Sequence, residues 1–127
     1  MVASALTQEM IQSGRTLVQQ LDDSGISVNA ALWLLFPEVQ AWKLMLSTPT
    51  LVADGPKAAY DAVQKALSKI SHPQLQLDDV VIAKPDAPLL KLMRLAIRTG
   101  SGIDSIRFTQ NVINGQLIPD ALIYRLQ

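Results

Sequence analysis

Apolar residues recur near the start of the chain at helical spacing. Leu6, Met10, Leu17, Val18 and Leu21 fall on one stripe, with Gln8, Glu9, Gln12, Arg15 and Gln19 away from it, so the pattern predicts an amphipathic helix over residues 4–22. Asp22-Asp23-Ser24-Gly25 then supplies stop chemistry, with Gly25 suited to the left-handed position past a helix end.

The next apolar block, residues 31–49, holds both tryptophans and almost no charge. A continuous helix here would bury Pro37 in its interior, at a cost of about 3 kcal/mol or more. Proline also pushes the preceding Phe36 out of helical geometry. Each side of Pro-Glu-Val-Gln is of strand length, which predicts a β-hairpin turning at Pro37–Gln40. Phe36 then faces Ala41, Leu35 faces Trp42, Leu34 faces Lys43 and Trp33 faces Leu44. Trp33, Leu35, Trp42 and Leu44 share one face, an aromatic–aliphatic cluster that a hairpin rewards.

Two junctions echo each other. Asp54-Gly55-Pro56 and Asp86-Ala87-Pro88 each precede a helical pattern, with Asp as the expected N-cap and Pro in the first turn. The first helix, 55–70, presents Tyr60, Val63, Leu67 and Ile70 and ends at His72-Pro73. The second, 87–99, is apolar nearly all round except for a stripe of Lys91, Arg94 and Arg98, so cover on most sides is expected. Between them, residues 78–84 read as a strand buried on both faces. Strand, helix, strand in succession implies a right-handed crossover between parallel neighbours.

Asn114-Gly115 is the strongest local signal, a preferred two-residue hairpin turn. Its register pairs Ile113 with Gln116, Val112 with Leu117, Phe108 with Ala121 and Ile106 with Ile123, and these last three pairs define a core face. It also sets Thr109 opposite Asp120 and Asp104 opposite Arg125. Pro119 marks the last strand as an edge, where a missing donor is tolerated. The predicted architecture is α+β, in the order α-β-β-α-β-α-β-β, with a mixed sheet of about five strands and about three helices in a single domain over residues 1–127.

Composition narrows the function classes. Cysteine is absent, which removes disulfides, thiol catalysis and the common structural zinc sites. Lys+Arg and Asp+Glu balance at 11 each, so no global field attracts nucleic acid or an anionic membrane. No apolar run reaches spanning length and no secretory leader is visible, which makes the cytoplasm the expected compartment. Charged residues are 17% of the chain, fewer than is typical, and this scarcity points to surface hidden in a homodimer.

Candidate chemistry is sparse. His72 is the lone histidine and sits before proline at a helix end, where solvent exposure is the expectation, and no ligand cluster calls for a metal or cofactor. Acid-x-lysine triplets of metal-dependent nucleases are missing. Lys91, Arg94 and Arg98 lack aromatic interleaving and read as a solvated face. Ligands of open α/β sheets bind beyond the carboxyl ends of parallel strands, which selects Asp54, Lys84 and Asp86 as a ligand rim. The outward face of the last hairpin mixes apolar and polar groups. Arg107, Ile118, Asp120, Leu122 and Tyr124 are its candidate interface, unless the N-terminal helix covers it. The expectation is a non-catalytic interaction module, homodimeric or binding another protein, as an adaptor, regulator or inhibitor. The alternative is a small-molecule-binding or enzymatic domain using the rim.

Overall fold

Helix α1 spans Gln8–Asp23 in the computed structural model, which describes residues 5–71, 75–109 and 111–127. The helix starts later than its apolar stripe because Thr7 is the N-cap, its hydroxyl accepting the Met10 N–H at 3.1 Å. It ends as the sequence requires: Gly25 sits at φ +79°, and the Gly25 and Ile26 N–H groups close back onto the carbonyls of Asp22 and Leu21.

Strands β1 (Ala30–Phe36) and β2 (Ala41–Ser47) form the predicted hairpin in the predicted register, from Phe36 opposite Ala41 to Trp33 opposite Leu44. The crossover that follows contains one helix more than the pattern suggests. Helix α2 (Pro49–Asp54) is capped by the Thr48 hydroxyl and α3 (Pro56–Leu67) begins at Gly55. Gly55, at φ +90°, both ends α2 and starts α3, a conformation open to glycine. Asp54 therefore closes α2 instead of capping α3. His72 lies outside the described residues.

A single 3-10 turn at Leu77–Asp79 leads into β3 (Val80–Ala83), which pairs in parallel with β2. The parallel crossover is thus present. β3 is an edge strand whose two faces both meet a core, Val80 and Ile82 the first and Val81 and Ala83 the second, though only Val80 is fully buried. Its edge is partly blunted, since the Ile82 N–H donates to the Tyr60 hydroxyl of α3 at 3.1 Å. Helix α4 (Pro88–Met93) is half the predicted length, and Ala87, not Asp86, precedes it without a side-chain cap. Leu90 and Met93 are buried, but Leu95 is 66% exposed, so the apolar surface of this segment is not covered all round.

The C-terminal register holds in both ladders, with β5 (Asn111–Ile113) and β6 (Gln116–Ile118) paired as Ile113–Gln116 and Val112–Leu117, and β4 (Ile106–Phe108) on β7 (Ala121–Leu126) as Phe108–Ala121 and Ile106–Ile123. The hairpin is split, however. β5 and β6 form a separate two-stranded arm, while β4 and β7 belong to the main sheet, whose order is β3-β2-β1-β7-β4. β7 is consequently an interior strand and not an edge, because β1 takes the side that the hairpin leaves open. The Val112–Leu117 pair, expected in the core, is solvent-exposed.

α1 and α3 cover one face of the sheet, burying Trp33, Trp42, Leu44, Leu122 and Tyr124 with Leu17, Val18, Leu21, Val63 and Ala66. The other face carries Leu32, Leu34, Met45, Phe108, Ala121 and Ile123 under Leu90 and Met93 of α4 and Ile118 of the arm. The β1–β7 ladder shifts by one residue at Tyr124, a bulge of the kind that re-aims a side chain. Tyr124 is fully buried, accepts the Trp33 indole N–H at 2.9 Å and donates to the Ile11 carbonyl. Gly14 makes this possible: a β-carbon there would lie 2.5 Å from the Tyr124 hydroxyl. One residue further on, the buried Arg125 guanidinium meets both carboxylate oxygens of Asp22 at 3.0 and 2.7 Å, and donates to the Val28 and Gly102 carbonyls. Its acid is therefore Asp22 at the end of α1, not the register partner Asp104.

Candidate functional site

The parallel pair β2/β3 places Ser47 and Ala83 at its carboxyl end, next to Lys84. Asp54, Lys84 and Asp86 are all exposed there, and none lines either of the two cavities that follow. The cation nearest to being fixed at this end is Arg94, which donates to the carbonyls of Pro85 and Gln127. Two buried oxygens here, Asn29 Oδ1 and Ser47 Oγ, have no partner among the described residues. No group of three or more metal-ligating side chains occurs among the described residues, and no helix among them is long and apolar enough to cross a membrane.

The outward hairpin face is divided between two environments. Leu122 and Tyr124 lie beneath α1, so of the two covers considered for them it is the N-terminal helix that occupies the place. Ile118 turns to the opposite face of the sheet, 1% exposed among Ala121 and Phe108. Alternation would keep residues 118, 122 and 124 together, but Pro119 interrupts the ladder and the chain twists between the arm and β7. Arg107 stacks on Trp42, its guanidinium carbon 5.2 Å from the ring centroid. Asp120 lines a groove described below.

Two cavities gather residues that the sequence leaves far apart. The first is a cleft of about 540 Å³ at the open end of the α1-covered face, lined by Thr7, Glu9, Met10, Trp33, Ala41, Trp42, Leu75 and Asp79. The β1–β2 hairpin sets both indoles on one face, the first turn of α1 brings Glu9 and Met10, and the 3-10 turn before β3 brings Asp79. One oxygen of Asp79 already accepts the Gln76 N–H at 3.0 Å. Trp33 spends its indole donor on Tyr124, whereas among the described residues no acceptor meets the Trp42 indole N–H. The volume falls within the range of small-molecule sites, and the lining has the usual make-up of an apolar floor with few polar groups.

The second cavity is an apolar groove of about 310 Å³ between the β1–β2 turn and the arm, lined by Leu35, Pro37, Gln40, Leu117, Ile118, Pro119 and Asp120. Leu117 is 70% exposed beside it, and Val112 and Val39 on the same two turns are exposed as well. Sequence reasoning missed both cavities. The tryptophans read as pure core, and the Val112–Leu117 pair reads as core because alternation continues unbroken through the arm. A usable signal was the absence of any charged residue from Phe108 to Pro119, unusual for a hairpin that pairs only with itself and exposes Val112 and Leu117. Comparison with known proteins returns no family model, no curated protein and no solved structure that matches this chain.

Proposed function

We propose that this chain is a non-catalytic interaction domain that pairs with a second copy of itself through the arm and the β1–β2 turn. The observation that carries the reading is exposed Leu117 in the lining of an apolar groove, with Val112 and Val39 exposed on the same two hairpins. Large apolar side chains clustered at one site mark an interaction surface. A projecting apolar pair lies directly beside an apolar groove, so a two-fold axis between copies sets each Leu117 against the other copy's Leu35, Pro37 and Pro119. Such a self-complementary patch is the requirement of an isologous dimer. The arm carries no charge and the chain has a formal net charge of +0, so two copies do not repel on approach. An isolated two-stranded ribbon is marginal in water, and a partner across its exposed face stabilises it.

Sedimentation velocity over a hundredfold concentration range tests this directly. A dimer is expected, and Leu117→Asp should convert it to monomer. Val52→Asp, at an exposed apolar position on α2 away from the arm, should leave the dimer intact. A monomer at every concentration, or a dimer indifferent to Leu117→Asp, refutes the assignment.

A further inference from the structure

The geometry points to the tryptophan cleft as a binding site for a small amine that carries an apolar body and a hydrogen-bond acceptor. This goes beyond self-association and stands on different residues. The floor is apolar and aromatic, made by Trp33, Trp42, Met10 and Leu75. Trp42 is 6% exposed, and its indole N–H has no acceptor among the described residues. That nitrogen is not among the buried, unpartnered polar atoms of the described residues, so solvent reaches it and a ligand acceptor has only to replace water. The ring lines the cleft, so a ligand seated there can offer that acceptor.

Charge selects the ligand class. Glu9 and Asp79 are the ionisable groups among the lining residues, and neither takes part in an ion pair among the described residues. An anion entering between them meets repulsion from both. A neutral ligand removes water from two carboxylates and offers no charge in return. An ammonium group is attracted by both acids and forms a charge-assisted hydrogen bond with the one it reaches, and its attached carbons gain the aromatic floor. Arg107 lies over Trp42 but is not among the cleft-lining residues, so no basic side chain of the lining answers the two acids. The acids come from α1 and from the turn before β3, so the site exists only in the folded chain.

Intrinsic fluorescence reads this without a label, because the two tryptophans of the chain both line the cleft. Tyramine is the probe, with excitation at the red edge of tryptophan absorption, and tyrosol, which has a hydroxyl in place of the amine, is the neutral control. A saturable change with tyramine is expected, with tyrosol weaker by roughly tenfold or more, the worth of a charge-assisted hydrogen bond. Glu9→Gln, at an exposed position that leaves folding intact, should weaken tyramine several-fold and narrow its advantage over tyrosol. Trp42→Phe keeps the floor, removes the N–H and should weaken both ligands, with Trp33 still reporting. No saturable response to tyramine overturns the proposal. So does equal binding of tyrosol, or tyramine binding that neither Glu9→Gln nor Asp79→Asn weakens.

Discussion

Gly14→Ala is the substitution for which helix propensity and tertiary packing give opposite answers. Gly14 lies in the interior of α1, where alanine is ordinarily worth about 1 kcal/mol of added stability. The new β-carbon, however, would stand 2.5 Å from the Tyr124 hydroxyl, 2.7 Å from Trp33 Nε1 and 3.0 Å from Tyr124 Cε2. None of these atoms is the free end of a flexible side chain. Tyr124 is fully buried and Trp33 is 1% exposed, and the hydroxyl is held between the Trp33 indole and the Ile11 carbonyl. Relief demands that α1 lift from the sheet or that the Tyr124–Trp33–Ile11 chain of hydrogen bonds break.

Lifting the helix is an overpacking cost of about 1–3 kcal/mol, and a buried donor left unpaired adds about 1–3 kcal/mol. Set against the propensity gain, the net expectation is a loss of about 1–5 kcal/mol. Urea denaturation followed by tryptophan fluorescence and by far-ultraviolet circular dichroism measures it, and Tm should fall by roughly 3–6 °C per kcal/mol for a chain of this length. A double-mutant cycle with Tyr124→Phe locates the cause. Removing the hydroxyl relieves the closest contact, so the pair should be less damaging than the sum of the singles. A Gly14→Ala protein that gains stability, or a cycle that adds simply, would mean that α1 is not seated on Trp33 and Tyr124.

Alkaline titration addresses the same tyrosine from another side. Burial pushes the Tyr124 phenol up to about 12 from its ordinary 10.0, against the smaller opposing effects of the Trp33 hydrogen bond and the Arg15 charge. Between roughly pH 10 and 12 the folded chain therefore holds a proton that the unfolded chain has lost, and stability falls by up to about 1.4 kcal/mol per pH unit. Tyr124→Phe should remove this component, and parallel pH curves for the two proteins would count against it. Asp22→Ala leaves the buried Arg125 guanidinium with carbonyl acceptors alone. Breaking a buried pair costs about 3–5 kcal/mol, and the partial exposure of Asp22 brings the expectation nearer 2–3 kcal/mol by urea denaturation. Lys57→Ala, which removes a fully exposed pair with Asp61, should leave the denaturation midpoint unmoved.

Local signals carried much of this fold. Pro37 and the length of the segments around it were enough to set the β1–β2 hairpin to the residue, and Asn114-Gly115 set one register that runs from Ile113–Gln116 to Ile106–Ile123. What failed was information that lies in the order of strands. Pro119 reads as an edge marker, yet the chain turns between arm and sheet there, and β7 becomes interior because β1 pairs along its other side. Arg125 finds Asp22, which is distant in sequence, over the adjacent Asp104 because the end of α1 packs on β7. Gly14 looks like a weak point in a helix, and its role emerges only when Tyr124 is placed beneath it. The cleft was hidden for the same reason: Glu9, Trp42 and Asp79 belong to three elements that no short-range pattern joins.

The β1–β2 hairpin contributes to both uncommitted surfaces, and its geometry makes them separable. Leu35, Pro37 and Gln40 line the arm groove, while Trp33, Ala41 and Trp42 line the cleft. Leu117 belongs to the groove alone and Glu9 to the cleft alone. Positions in different elements with no shared partner should behave additively. Leu117→Asp is therefore expected to abolish self-association while tyramine binds as before, and Glu9→Gln to weaken tyramine while the dimer persists. Were Leu117→Asp to abolish both, the cleft would be complete only in the dimer, and the second copy would have to supply part of its wall.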